Sequence, residues 1–177
     1  FRGKDSVIFS VRYALEEAIT AKQAVKILQK GEYPYSCIFM VADGKEALFL
    51  EKSGRNSAIR TIGSKTGQYL TAANHFITLK NDRSDEDSKI RYKDMSSFLK
   101  KQTGTSGFEA VRNVLSLCGN ISHPVYIRLT GARLNKFSTL MSIVLKPGTG
   151  TVYIWFAKGA PAEEKPAYTK MDLKKLF

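Results

Sequence analysis

Chemistry in this sequence has few places to reside: Cys37 and Cys118, His75 and His123, and Asn74 beside the first of the two histidines. The spacing places Asn74 at the end of a strand, where a carboxamide can aim an N–H at a developing oxyanion. An Asn leaving a strand also commonly makes a turn. His75 is a candidate general base, but no Ser or Cys nucleophile and no carboxylate stands at a partnering spacing, so a turn or packing role competes with it. Cys37 lies inside the apolar run Cys37-Ile38-Phe39-Met40-Val41, where desolvation suppresses the thiolate. Both cysteines read as buried thiols, although one bridge between them is compatible with the sequence. No CxxC and no Cys/His cluster with ligand spacing is present, so neither a metal site nor a cofactor is expected.

The chain has 177 residues, enough for one domain with a continuous core, and residues 1–177 are read as a single domain. No apolar stretch has the length of a membrane span and residues 1–20 lack the layout of a signal peptide, so a soluble domain is expected, cytoplasmic or exported. Phe1 is not an initiator Met, which suggests a missing N-terminus. Lys+Arg number 28 against 16 Asp+Glu, a formal charge of +12. That excess invites an anionic partner. The basic residues are scattered, however, and no basic-aromatic motif appears, so a solvated surface is expected and nucleic acid is not.

These residues must be positioned by elements that the pattern outlines. Val7, Ile8, Val11, Ala14, Leu15 and Ala18 recur at helical intervals over 6–19. Thr20 and Gln23 form a capping-box pattern ahead of a second helix that Gly31 and Pro34 end. Ser36–Ala42 reads as a buried strand, Asp43-Gly44 as a hairpin turn, and Ala47–Glu51 as the returning strand. Shorter strands are expected at 57–62 and 68–72, then a surface loop from Lys80 to Lys89. Ile90, Met95, Phe98 and Leu99 fit a third helix. Ser106 and Glu109 cap a fourth, which Gly119 stops. Val125–Leu129, Phe137–Leu145 and Thr151–Phe156 read as strands, and Ala160–Pro166 as loop with a short basic segment after it. Helices, strands, helices, strands in that order favour antiparallel sheets with helices outside, an α+β fold.

Several strings resemble the penicillin acyltransferase-like family of N-terminal-nucleophile amide hydrolases. They are Ser10-Val11-Arg12-Tyr13-Ala14-Leu15-Glu16-Glu17-Ala18, Ala24-Val25-Lys26-Ile27-Leu28, Phe39-Met40-Val41-Ala42-Asp43-Gly44, Asn74-His75-Phe76, Ser88-Lys89-Ile90-Arg91-Tyr92 and Ser138-Thr139-Leu140-Met141-Ser142-Ile143-Val144. Ala73 stands where the family's Thr-Asn-His-Phe has Thr. The resemblance spans nearly the whole chain through short motifs, Asn-His-Phe with Arg-Tyr being the most specific. It implies a four-layer αββα sandwich with mainly antiparallel sheets, of which this chain would be the C-terminal portion.

The resemblance also implies an acyl-enzyme mechanism on a linear amide substrate, with a cysteine freed by autoproteolysis whose α-amino group is its own base. Asn74 would donate to the oxyanion, Arg91 would hold positive charge beside the nucleophile, and Ser138 would bridge polar groups at its amine. His75 and Phe76 would be substrate-binding. The family's cysteine lies upstream of the helix pair, so the nucleophile is expected from a companion segment or subunit of the same precursor, and this chain alone is expected to be inactive. Oligomerisation is left open. The competing readings are a non-catalytic domain binding an anionic partner through its basic surface, and a degenerate relative of the enzymes.

Overall fold

A computed structural model describes residues 5–62, 69–80, 86–102, 107–115, 141–147, 149–156 and 168–175. The chain divides into two compact units, Phe1–Tyr92 and Lys93–Phe177. The elements of the first are α1 (Val7–Glu17), α2 (Ala21–Lys30), β1 (Cys37–Ala42), β2 (Ala47–Ser53) and β3 (Asn56–Thr61). Helix α3 (Glu86–Lys100) begins in the first unit and continues into the second. The second also contains α4 (Gly107–Leu115), β4 (Met141–Lys146), β5 (Thr151–Phe156) and β6 (Thr169–Asp172). The described residues are thus α+β, with two small antiparallel sheets, β1-β2-β3 and β4-β5-β6.

In the first unit the expected helix pair forms, and its joint is the capping box foreseen at Thr20 and Gln23. Thr20 Oγ1 accepts from the Gln23 N–H at 3.2 Å, and Gln23 Oε1 accepts from the Thr20 N–H at 3.2 Å. Helix α2 lays Ala21, Val25 and Leu28 against Phe39, Leu48 and Leu50 of the sheet, with Ala14 of α1 and Tyr33 completing the core. Asp43, in the β1–β2 turn, fastens this helix to the hairpin. One carboxylate oxygen accepts from the Ala21 N–H at 2.9 Å and the other from the Lys45 and Glu46 N–H groups at 2.7 and 2.9 Å. Those amide donors hold the Asp43 pKa down at about 2.

Strand β2 is central. Phe39 stands opposite Leu50, Met40 opposite Phe49, and Ile38 opposite Glu51. On its other side Phe49 pairs with Arg60 and Glu51 with Ala58. Since side chains alternate between faces, Leu48 and Leu50 meet the helices while Phe49, Glu51 and Arg60 share the opposite face.

In the second unit Val144, Val152 and Trp155 of the sheet and Ala110 and Val114 of α4 are buried. Phe108 stacks on Tyr153 with ring centroids 4.0 Å apart.

Two expectations are corrected and one element is added. Residues 69–72 form no strand, because the Thr71 carbonyl is taken by the Arg60 side chain rather than by a sheet ladder. Residues 86–89 are helical rather than loop; Ser88 is the side chain this turn buries, so no apolar residue betrays it. The tail contains a strand, Thr169–Asp172, at the edge of its sheet and mostly exposed, which erases the alternation that would reveal it. The expected strand at 125–129, the start of the strand at 137, the cap at Ser106 and the loop at 160–166 lie outside the described residues.

Candidate active site

The Phe49–Glu51–Arg60 face is the platform on which the candidate site stands. Glu51 and Arg60 are diagonal neighbours on adjacent antiparallel strands, close enough for long side chains to touch. Arg60 Nε lies 2.9 Å from Glu51 Oε1, and the guanidinium carbon sits 5.0 Å from the centre of the Phe49 ring. The Glu51 side chain is fully buried and that of Arg60 is 10% exposed. The Nε contact is an ion pair without hydrogen-bond alignment, and neither Nε nor Nη2 has a hydrogen-bond partner among the described residues.

Both charges hold the irregular segment 69–80. Arg60 Nη1 donates to the Thr71 carbonyl at 2.9 Å. The Glu51 carboxylate accepts from three consecutive backbone N–H groups, Ile77, Thr78 and Leu79, at 2.8, 2.9 and 2.9 Å. Between these anchors the chain presents Asn74, His75 and Phe76. Asn74 is exposed, Phe76 is half-buried and His75 is buried. Asn74 therefore sits in a bend rather than at the end of a strand.

Helix α3 supplies the remaining contacts. Ser88, fully buried, accepts from the Asn74 backbone N–H at 2.6 Å and lies 2.8 Å from His75 Nδ1. One turn on, Arg91 Nη2 donates to Asn74 Oδ1 at 3.2 Å. Tyr92 meets the His75 ring edge-on, with centroids 5.6 Å apart. Residues 88, 91 and 92 fall on one face of the helix because three and four residues make a turn.

This contact decides the orientation of the Asn74 amide. A guanidinium has donors and no acceptor, so the atom facing Arg91 is the oxygen, and the NH2 group is the end left to donate elsewhere. Burial is the main reason that the His75 pKa is lowered from 6.5; the Lys89, Arg60 and Arg91 charges add to this and Glu51 opposes it. A neutral imidazole follows near pH 7, consistent with Nδ1 accepting from the Ser88 hydroxyl.

The structure brings Asn74, His75 and Arg91 together. Ser138, Cys118 and His123 lie outside the described residues. Cys37 is on the opposite, helix-covered face of the sheet, packed against the core, and burial raises its pKa. Among the described residues no group of His, Cys, Asp or Glu has the arrangement of a metal site, and no helix is long and apolar enough to cross a membrane.

Sequence reasoning gave no role to Glu51 and Arg60, and read Ser88 only as part of a helix-start motif. The available signal was a pair of opposite charges, one on each of two neighbouring strands.

A family model described as acyl-coenzyme A:6-aminopenicillanic acid acyl-transferase matches residues 3–161, which include every one of these side chains. No curated protein matches the chain.

Proposed function

The chain belongs to the acyl-coenzyme A:6-aminopenicillanic acid acyl-transferase family, and from that premise we propose that it is the C-terminal portion of a cysteine N-terminal-nucleophile amidohydrolase or acyltransferase. Membership indicates acyl-transfer or amide-hydrolysing chemistry. The finer reading concerns the substrate, the nucleophile and the parts. A cysteine carried by a companion segment or subunit of the same precursor, cut so that its α-amino group is free, attacks the carbonyl of a linear amide. Its amine, with a reference pKa of about 7.7–8.0, takes the thiol proton and returns it to the leaving amine. Water or a second amine then accepts the acyl group.

Within this scheme Asn74 stabilises the tetrahedral oxyanion through the NH2 end of its amide. The observation carrying the proposal is the 3.2 Å bond from Arg91 to Asn74 Oδ1, which commits the oxygen to Arg91 and leaves the NH2 end to donate elsewhere. Losing one such donor costs roughly two to three powers of ten in rate. Arg91 adds a fixed positive charge that favours the thiolate and the oxyanion. His75 and Phe76 form the wall beside the acyl group, and Ser138 binds near the freed amine. The companion segment covers the exposed Asn74 and completes the αββα sandwich expected of the family.

The test is co-expression of this chain with its upstream sequence, followed by N-terminal sequencing and turnover of N-acyl amino acid amides. The proposal requires a new terminus at a cysteine and an acyl adduct on it. Turnover by a protein with no cysteine terminus, or a correctly folded assembly that cleaves no linear amide, contradicts it.

A further inference from the structure

The Glu51–Arg60 pair is an expensive thing to bury. Glu51 loses all contact with water, Arg60 nearly all, and the Arg60 Nη2 group is left without a partner among the described residues. A buried ion pair of this kind is weak evidence for stability, since apolar residues of similar volume commonly do as well or better. What the pair supplies instead is position. Thr71 stands three residues before Asn74 and Ile77 three residues after it. Arg60 binds the carbonyl at the first point, and Glu51 binds the amides that begin at the second. The ion pair joins the two clamps at 2.9 Å, and strands β2 and β3 hold both in register. The intervening bend has no helix or sheet of its own to fix it.

We infer that Glu51 and Arg60 are positioning residues of the active site: one double-ended clamp that sets where the Asn74 carboxamide and the His75 ring stand against Ser88 and Arg91. This rests on the proposed role of Asn74 and adds the device that places it. Neither residue of the clamp touches the reacting atoms. Ser88 is the opposing stop, since it receives the Asn74 N–H and the His75 ring from the α3 side.

The test uses the intact protein labelled with nitrogen-15, comparing wild type with Glu51→Gln. Gln keeps the shape of the side chain but can no longer accept at both oxygens. The expected result is at least a tenfold loss of hydrogen-exchange protection at Ile77, Thr78 and Leu79, with shifts in the Asn74 side-chain amide and His75 ring signals. Protection at Val25 and Leu28 of α2 stays at its wild-type level. Wild-type Asn74 and His75 signals despite loss of protection at 77–79 would overturn the inference, because Glu51 would then merely fasten the loop. Should Glu51→Gln fail to fold, Arg60→Lys keeps the charge facing Glu51 and removes the reach to Thr71. The same two signals must then move, and a wild-type spectrum overturns the inference. In the assembly carrying the nucleophile, either variant is expected to lower kcat at least tenfold with KM within twofold. An inert wild-type assembly would count against the proposed activity and leave the spectroscopic result to decide the clamp.

Discussion

At the scale of single residues, the site is a set of side chains whose orientation is fixed by what their partners lack. Arg91 has no acceptor, so Asn74 must show it an oxygen; Ser88 is buried and satisfies a backbone N–H and an imidazole at once. Ser88→Ala strands both; the His75 nitrogen is the buried one, and an unpaired buried group costs about 1–3 kcal/mol, so chemical denaturation should show a loss of that size. His75 gives a pH dependence of definite sign. Burial lowers its pKa in the folded state from 6.5, so in the affected range the unfolded chain binds more protons and stability rises with pH. Its contribution is complete above 6.5 and is lost as pH falls through the lower, folded value. Denaturant titrations from pH 8 to pH 5 should show that decline, and His75→Gln should flatten it. Asn74 and Arg91 were legible in the sequence through the Asn-His-Phe and Arg-Tyr motifs. Glu51 and Arg60 were not, because a charge inside a strand declares its burial only once the register with its neighbour is known.

Among the elements, those with a strong local code were read correctly and those shaped by distant partners were not. The α2 capping box and the Asp43-Gly44 turn are decided within a few residues, and both stand as expected. The segment 69–80 depends on two side chains from β2 and β3, and its first residues, 69–72, carry a strand pattern that those contacts override. The first turn of α3 buries a serine, and its helical character was hidden for that reason. Gly31 supplies a test at this scale. Its backbone is ordinary, with φ at −65°, but a Cβ there would lie 2.6 Å from the Tyr33 ring and hydroxyl. Tyr33 has no room to yield: it is 1% exposed, packs on Phe39 and donates to the Leu28 carbonyl at 3.0 Å. Gly31→Ala should therefore cost about 1–3 kcal/mol, the range of an overpacked core, measurable as a lowered denaturation midpoint at unchanged m value.

For the molecule as a whole, the charge of +12 is the feature that most invites a different reading. Several cations are already paired at the surface, as in Arg12–Glu16, Lys22–Glu46 and Arg55–Glu32, and such exposed pairs contribute little energy. Binding to a mixed-sequence DNA duplex, followed by fluorescence anisotropy, should accordingly be weak, indifferent to sequence and gone by about 200 mM salt, as for purely electrostatic contacts. The function proposed for the molecule depends instead on the NH2 group of Asn74. Its most direct test is the rate of acyl-adduct formation, read by intact mass, on the nucleophile-bearing assembly with Asn74 or Ala at that position. The expected result is an adduct on an N-terminal cysteine that forms roughly 10²–10³ times more slowly in Asn74→Ala, with the thermal midpoint unchanged. Equal rates in the two proteins would contradict the role given to Asn74.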